Sequence, residues 1–180
     1  LSVAGLLLSL GITKVPAADP SKKFQANPLT DLWKQLGLIR RDRVLWLAVL
    51  GNTYFWFLAA LLTANIVFYG EDVLHSSSTR TGILQAAVAI GIGLGSLAAG
   101  YLSSGKVEYG LIPLGSVGMT VFGVLLSARS LAFTHVLMLL AALGFSAGFF
   151  AVPVNALIQH RPDEKDKGGV IAAANLLSFV

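Results

Sequence analysis

Four long apolar segments without a charged residue constrain the fold of this chain more than any other feature. They cover residues 44–69, 81–103, 111–128 and 135–159, and none contains Asp, Glu, Lys or Arg. About 20 apolar residues in helical form cross the hydrocarbon core of a bilayer, which is roughly 30 Å thick. Only 12% of the 180 residues are charged, about half the share in an ordinary soluble domain. The sequence therefore predicts a helical bundle whose solvent is lipid.

Two shorter apolar runs, at the ends of the chain, predict partial spans. Residues 1–12 are too few to cross a bilayer, so we expect them to be the end of a transmembrane helix, and residues 170–180 to begin another. A signal-peptide core is the alternative for the first run, but no basic segment precedes it and Lys14 follows it closely. The chain starts without Met and stops inside an apolar run. We therefore expect both ends to be cut from a longer protein.

Residues 13–43 predict a linker that contains a short amphipathic helix. Prolines interrupt its first part, whereas apolar residues recur at helical spacing from Leu29 to Ile39, with basic residues on or beyond the other face. Such a helix either lies on the membrane surface with its basic end near lipid phosphates or packs on its own bundle. The pattern favours neither over the other.

Basic residues are divided unequally between the two sides of the predicted bundle. Eleven of the 13 Lys and Arg residues fall on one side, and only Arg80 and Arg129 fall on the other. Short loops rich in Lys and Arg stay on the cytoplasmic side of a membrane. We therefore expect residues 13–43, 104–110 and 160–169 to be cytoplasmic.

Signatures of catalysis and metal binding are nearly absent from the sequence. The three His residues are scattered, cysteine is missing and no Walker-type loop occurs, so we expect no catalytic residue, no metal site and no cofactor. Gly91, Gly93 and Gly95 lie inside an apolar span with no preceding strand, which argues against dinucleotide binding. We expect no nucleic-acid partner either.

Small residues four apart predict close packing between helices, because they let two backbones approach each other in lipid. Packing explains the pattern better than substrate binding does, although transporters also use such residues where helices slide. The pairs are Gly91 with Gly95, Ser96 with Gly100, and Gly144 with Gly148.

Polar residues inside the spans predict a substrate cavity or gate, because an amide in hydrocarbon needs a partner or a water-lined space. In the first span Asn52, Trp56 and Thr63 return to one face of a helix, which we expect to point inward. In the fourth span a proline frees a carbonyl about four residues earlier, which makes either a gate or only a kink. The candidates in that span are Phe149, Pro153, Asn155 and Gln159.

Two stretches, Gly148 to Arg161 and Gly100 to Gly115, resemble the lysophospholipid transporter branch of the major facilitator superfamily, and so does Val170 to Asn175. The resemblance implies an all-α membrane protein, a fragment of a twelve-helix major facilitator bundle. The fragment would be its C-terminal half, with four complete transmembrane helices plus two partial ones. Its segments would then be 1–12, the cytoplasmic linker 13–43 and the bundle 44–180.

One loop departs from the superfamily pattern, which places an acidic residue and several basic ones there. Ser104 stands near the position of the acid, and only Lys106 and Glu108 supply charge. A contact between Lys106 and Glu108 is one interpretation, and separately solvated loop charges are the other.

The resemblance also implies a function. It implies a facilitator-type carrier that moves lysophospholipid across the bacterial inner membrane by alternating access, surrounded by membrane lipids and paired with the N-terminal half of the same transporter. Some members of this branch are fused to acyltransferase domains, so the membrane portion of a phospholipid acyltransferase is one alternative. A carrier for another small solute is a second. We expect no enzymatic activity in this fragment itself.

Overall fold

Helices account for nearly all of the chain that the computed structural model describes, which is residues 9, 11, 28–70, 77–104, 106–128 and 131–179. The partial span expected at residues 1–12 and the first part of the linker lie outside these described residues, apart from two isolated positions. The helices are α1 (Pro28–Arg41), α2 (Arg43–Phe68), α3 (Ser78–Ser103), α4 (Leu111–Leu126), α5 (Phe133–His160) and α6 (Glu164–Phe179).

Three of the described helices, α2, α3 and α5, are long and apolar enough to cross a membrane. With 26 to 28 residues each, they are about 39–42 Å long at 1.5 Å per residue. Large apolar side chains also cover their outer surfaces, and Leu97 for example is 73% exposed. Exposed leucines of this kind suit a lipid solvent. The all-α membrane fold predicted from the sequence is confirmed.

Helix α4 is shorter than the other membrane helices. It has 16 residues, which is about 24 Å. Its last helical residue is Leu126 and Ser127 is its C-cap, whereas the apolar block of the sequence extends to residue 128. The Ser127 hydroxyl donates to the carbonyl of Val124.

Helix α5 is the centre of the bundle, with α3 along one side and α4 along another. The contact with α3 is made through backbone: a Cβ added at Gly91 would collide with the Ala141 carbonyl, and one at Gly144 with the Val88 carbonyl. Contacting residue numbers rise together along both helices, so α3 and α5 run parallel. The glycines at this interface are Gly91, Gly95, Gly144 and Gly148.

Helix α4 packs closely against α5 at Gly115 and Gly118. These two glycines are three positions apart, so the pattern of small residues four apart does not include them. A Cβ on Gly115 would lie 2.7 Å from the Ser146 carbonyl, and one on Gly118 would collide with the Ser146 side chain. Gly100, by contrast, is not at a helix interface among the described residues, since a Cβ there would meet nothing within 4 Å. It lies on the face of α3 that points away from α5.

Helices α1, α2, α5 and α6 meet in an apolar core that we call the basic-end cluster, because it lies beside the loops rich in Lys and Arg. Its most buried members are Ile39, Val49, Val170 and Ala174. Helix α1 docks here: Gln35 is only 2% exposed and lies against Gly169, whereas Trp33 is 67% exposed. One face of the amphipathic helix therefore packs on the bundle and the other is open.

Candidate substrate crevice

An apolar crevice lies between α2 on one side and α3, α4 and α5 on the other. Its volume is about 610 Å³, within the range of about 300–1,000 Å³ that small-molecule sites occupy. None of the described residues that line it is acidic or basic. They include Phe55, Trp56, Ala59 and Thr63 from α2, Gln85, Ala89 and Ile92 from α3, Met119 and Gly123 from α4, and Leu143 and Ala147 from α5.

Aromatic side chains of α2 and α5 meet at one end of this crevice. At Gly51 the helix comes close to α5, where an added Cβ would lie 3.4 Å from the Phe150 ring. One turn later Phe55 stacks on Phe150, with 5.7 Å between the ring centroids, and Trp56 meets Phe55 edge to face. Residues of α2 from Phe55 to Ile66 line the crevice. The crevice starts at this aromatic group.

A second cavity of about 300 Å³ adjoins the crevice toward the end of the bundle opposite the basic-end cluster. The two share Leu62, Ile66, Gly123 and Leu143 as lining residues. Tyr69 and Ser127 lie at the far end of the smaller cavity. The open space therefore runs from the middle of α2 to its C-terminal end.

Of the residues that the structure describes, three with polar side-chain atoms line the crevice: Trp56, Thr63 and Gln85. The Thr63 hydroxyl donates to the Ala59 carbonyl at 2.8 Å. The Gln85 amide has no hydrogen-bond partner within the described part of the chain, and its side chain is exposed to the crevice. Sequence reasoning missed Gln85, although it is an amide inside an apolar span and the rule that selected Asn52 applies to it equally.

The three residues predicted to share one face of α2, which are Asn52, Trp56 and Thr63, do not all lie in the same site. Trp56 and Thr63 line the crevice, but Asn52 is only 4% exposed and its Nδ2 donates to the Ser178 hydroxyl at 2.9 Å. Asn52 therefore joins α2 to α6 and does not line the crevice. Helical periodicity puts these residues on one side of α2, but α6 covers only the first part of that side.

The candidates on α5 lie outside the crevice. Phe149 and Pro153 are buried in helix packing, with the Phe149 ring 5.0 Å from that of Phe145. Asn155 and Gln159 are exposed near the basic end, and the Asn155 amide donates to the Ala151 carbonyl at 2.9 Å. Helix α5 continues past Pro153 to His160. The structure thus brings none of these four together with Trp56 and Thr63.

Lys106 and Glu108 form no ion pair with each other in the described chain. An ion pair among the described residues instead joins Asp42, before α2, to Arg161, after α5. Asp42 also caps α2, since its Oδ1 accepts from the backbone N–H groups of Val44 and Leu45 at 3.0 and 3.2 Å. The hydrogen bond from Arg161 holds the pKa of the Asp42 carboxyl below its ordinary value. This pair ties the beginning of one membrane helix to the end of another.

Known proteins similar to this chain include several bacterial transporters. The chain is 29% identical to "Lysophospholipid transporter LplT" of Klebsiella pneumoniae over 95% of its length and 43% of the relative's. It is 31% identical to the protein of the same name from Cronobacter sakazakii, over 98% of the chain and 45% of the relative, and 30% identical to that of Escherichia coli O157:H7, over 95% and 43%. The chain thus spans less than half the length of these relatives.

No solved structure matches the chain. The sequence profile of the Major Facilitator Superfamily, however, matches all of residues 1–180. The apolar membrane-length helices and short loops of the chain fit membership of this superfamily. The chain therefore belongs to the Major Facilitator Superfamily.

Proposed function

We propose that this chain is the C-terminal half of a carrier that moves lysophospholipid across the bacterial inner membrane by alternating access. The observation that carries the proposal is the crevice of about 610 Å³, whose described lining is mainly apolar and contains no acidic or basic side chain. An acyl chain needs an apolar binding site of this kind, whereas a sugar or an ionic solute needs many polar contacts. The relatives named as lysophospholipid transporters support the same substrate class.

The proposal includes an orientation in the membrane. Arg43, Lys106, Arg161, Lys165 and Lys167 all lie at the basic end of the bundle, and loops rich in Lys and Arg remain cytoplasmic. The crevice and its adjoining cavity then lie toward the periplasmic side. A lysolipid would enter them from the outer leaflet, and the N-terminal half of the transporter would cover the remaining side.

A matched pair of substitutions on α2 tests the acyl-chain binding site. Ala59 lines the crevice, whereas the adjacent Ala60 is exposed elsewhere on the helix. In the complete transporter, Ala59→Phe fills the crevice and is expected to lower uptake of labelled lysophosphatidylethanolamine into proteoliposomes at least tenfold. Ala60→Phe adds the same side chain outside the crevice and should stay within about twofold of the unmodified carrier.

Equal uptake by the two variants, with equal yields of folded protein on size-exclusion chromatography, would show that the crevice is not the acyl-chain binding site. No lysolipid uptake by the unmodified carrier would overturn the proposed substrate class itself.

A further inference from the structure

We infer that Gln85 and Thr63 form a neutral polar subsite that recognises the free glycerol hydroxyl and the ester group of a single-chain phospholipid. The inference rests on the proposed function, because it needs the acyl chain to occupy the crevice. It adds the residues that would distinguish a lipid with one chain from a lipid with two.

The first argument is hydrogen-bonding capacity. The Gln85 amide can donate two hydrogen bonds and accept others, and it makes none within the described part of the chain. Thr63 uses its proton on the Ala59 carbonyl, so its oxygen is left as an acceptor. Gln85 is exposed in this half of the bundle, so its donors and its acceptor are open to a ligand in the crevice.

The second argument is charge. Among the described residues the crevice lining contains no Lys or Arg, and phosphate groups are bound in proteins chiefly by such cations. A hydroxyl and an ester carbonyl are neutral, and an amide beside a hydroxyl matches their donors and acceptors. The subsite therefore fits the glycerol region of a lipid and not its phosphate.

The third argument is depth in the membrane. Thr63 lies five residues before the end of α2 and Gln85 seven residues after the start of α3, which places them about 8 and 10 Å from the end opposite the basic-end cluster. A 26-residue helix exceeds a core of about 30 Å by about 9 Å. With the helices centred, both residues lie about 4–6 Å inside the hydrocarbon boundary, close to the glycerol esters of the lipids in that leaflet.

The placement has a consequence for selectivity. With the acyl chain directed toward Trp56 and Phe55, the head group would extend toward the end of the bundle opposite the basic-end cluster. In a diacyl lipid the second glycerol hydroxyl is esterified and can no longer donate. Sites built to bind a hydroxyl reject analogues that lack it, because their own polar groups are left unpaired.

The test compares lysophosphatidylethanolamine with its analogue in which hydrogen replaces the free glycerol hydroxyl, in proteoliposomes containing the complete transporter. The unmodified carrier should take up the hydroxylated lipid at least tenfold more efficiently. In Gln85→Leu and in Thr63→Val this ratio should fall to within about twofold, with uptake of the deoxy analogue preserved. Gln85→Asn should recover part of the preference.

The control is Thr53→Val, since the Thr53 hydroxyl also donates to a carbonyl one turn earlier but does not line the crevice. It should keep the full preference. A preference that persists in both Gln85→Leu and Thr63→Val, or is absent from the unmodified carrier, overturns the subsite while lysolipid transport itself stands. If Gln85→Leu does not fold, Thr63→Val alone decides.

Discussion

Asp42 shows how much one side chain can do at a helix end. One carboxylate oxygen caps α2, and the other accepts the hydrogen bond from Arg161. The sequence places Asp42 just before an apolar span, a good position for a cap. Its partner Arg161 is 119 positions away in the chain. No local pattern predicts such a pair.

Two substitutions separate these roles. Asp42→Asn keeps a capping oxygen but loses the ion pair, which lies in contact with water and contributes little, so we expect only a small loss of stability. Asp42→Ala also loses the cap and should cost about 1 kcal/mol more. Thermal unfolding of the detergent-purified protein measures both, and equal losses would contradict the capping role.

The same pair has a defined pH dependence. The pKa of Asp42 is lowered from its ordinary value of 3.8, so the pair stabilises the folded state above that value. The contribution is lost as the pH falls through the lower folded pKa, while Arg161 stays charged. The stability difference between the original protein and Asp42→Asn should therefore shrink in acid. A difference that is constant from pH 7 to pH 3 would contradict the assignment.

The candidate residues also show what periodicity can and cannot give. It put Asn52, Trp56 and Thr63 on one side of α2, and two of them line the crevice. It could not separate Asn52, because its partner Ser178 belongs to a helix far along the chain. Periodicity identifies the face of a helix but not the element that covers it.

Among the elements, α3 and α5 form the tightest pair. Their glycines bring carbonyls of one helix against Cα atoms of the other, so the pair is held by close backbone packing. The bounds of both helices were predictable to within three residues. For α3 the predicted segment 81–103 corresponds to the helix Ser78–Ser103, and for α5 the predicted segment 135–159 corresponds to Phe133–His160. Apolar composition marks the hydrocarbon layer, whereas helices extend past it to their caps.

Gly144→Ala tests the packing of this pair. The new Cβ would collide with the Val88 carbonyl, which is backbone and cannot rotate away. We expect a destabilisation of about 1–3 kcal/mol, typical of an overpacked interior, seen as a lower midpoint of thermal unfolding. Gly93→Ala on α3 is the matched control, because a Cβ there meets nothing within 4 Å. Similar effects of the two changes would argue against backbone-limited packing.

For the whole molecule, the distribution of Lys and Arg predicts which end of the helix bundle faces the cytoplasm. The chain has no cysteine, so single cysteines can be introduced without background from this segment. Ser77 and Glu108 are exposed and lie at opposite ends of the bundle. In intact spheroplasts a membrane-impermeant maleimide should label Ser77→Cys and spare Glu108→Cys, whereas permeabilised membranes should allow both. The reverse pattern would invert the proposed orientation.

The short α4 has a consequence for the surrounding lipid. At about 24 Å, this 16-residue helix falls about 6 Å short of a typical hydrocarbon core. A bilayer meets such a hydrophobic mismatch by thinning locally around the short segment. Met119 and Gly123 of α4 line the crevice. We therefore expect the bilayer to be thinner beside α4 than beside α2, α3 or α5, so that a shorter depth of hydrocarbon borders the crevice on this side.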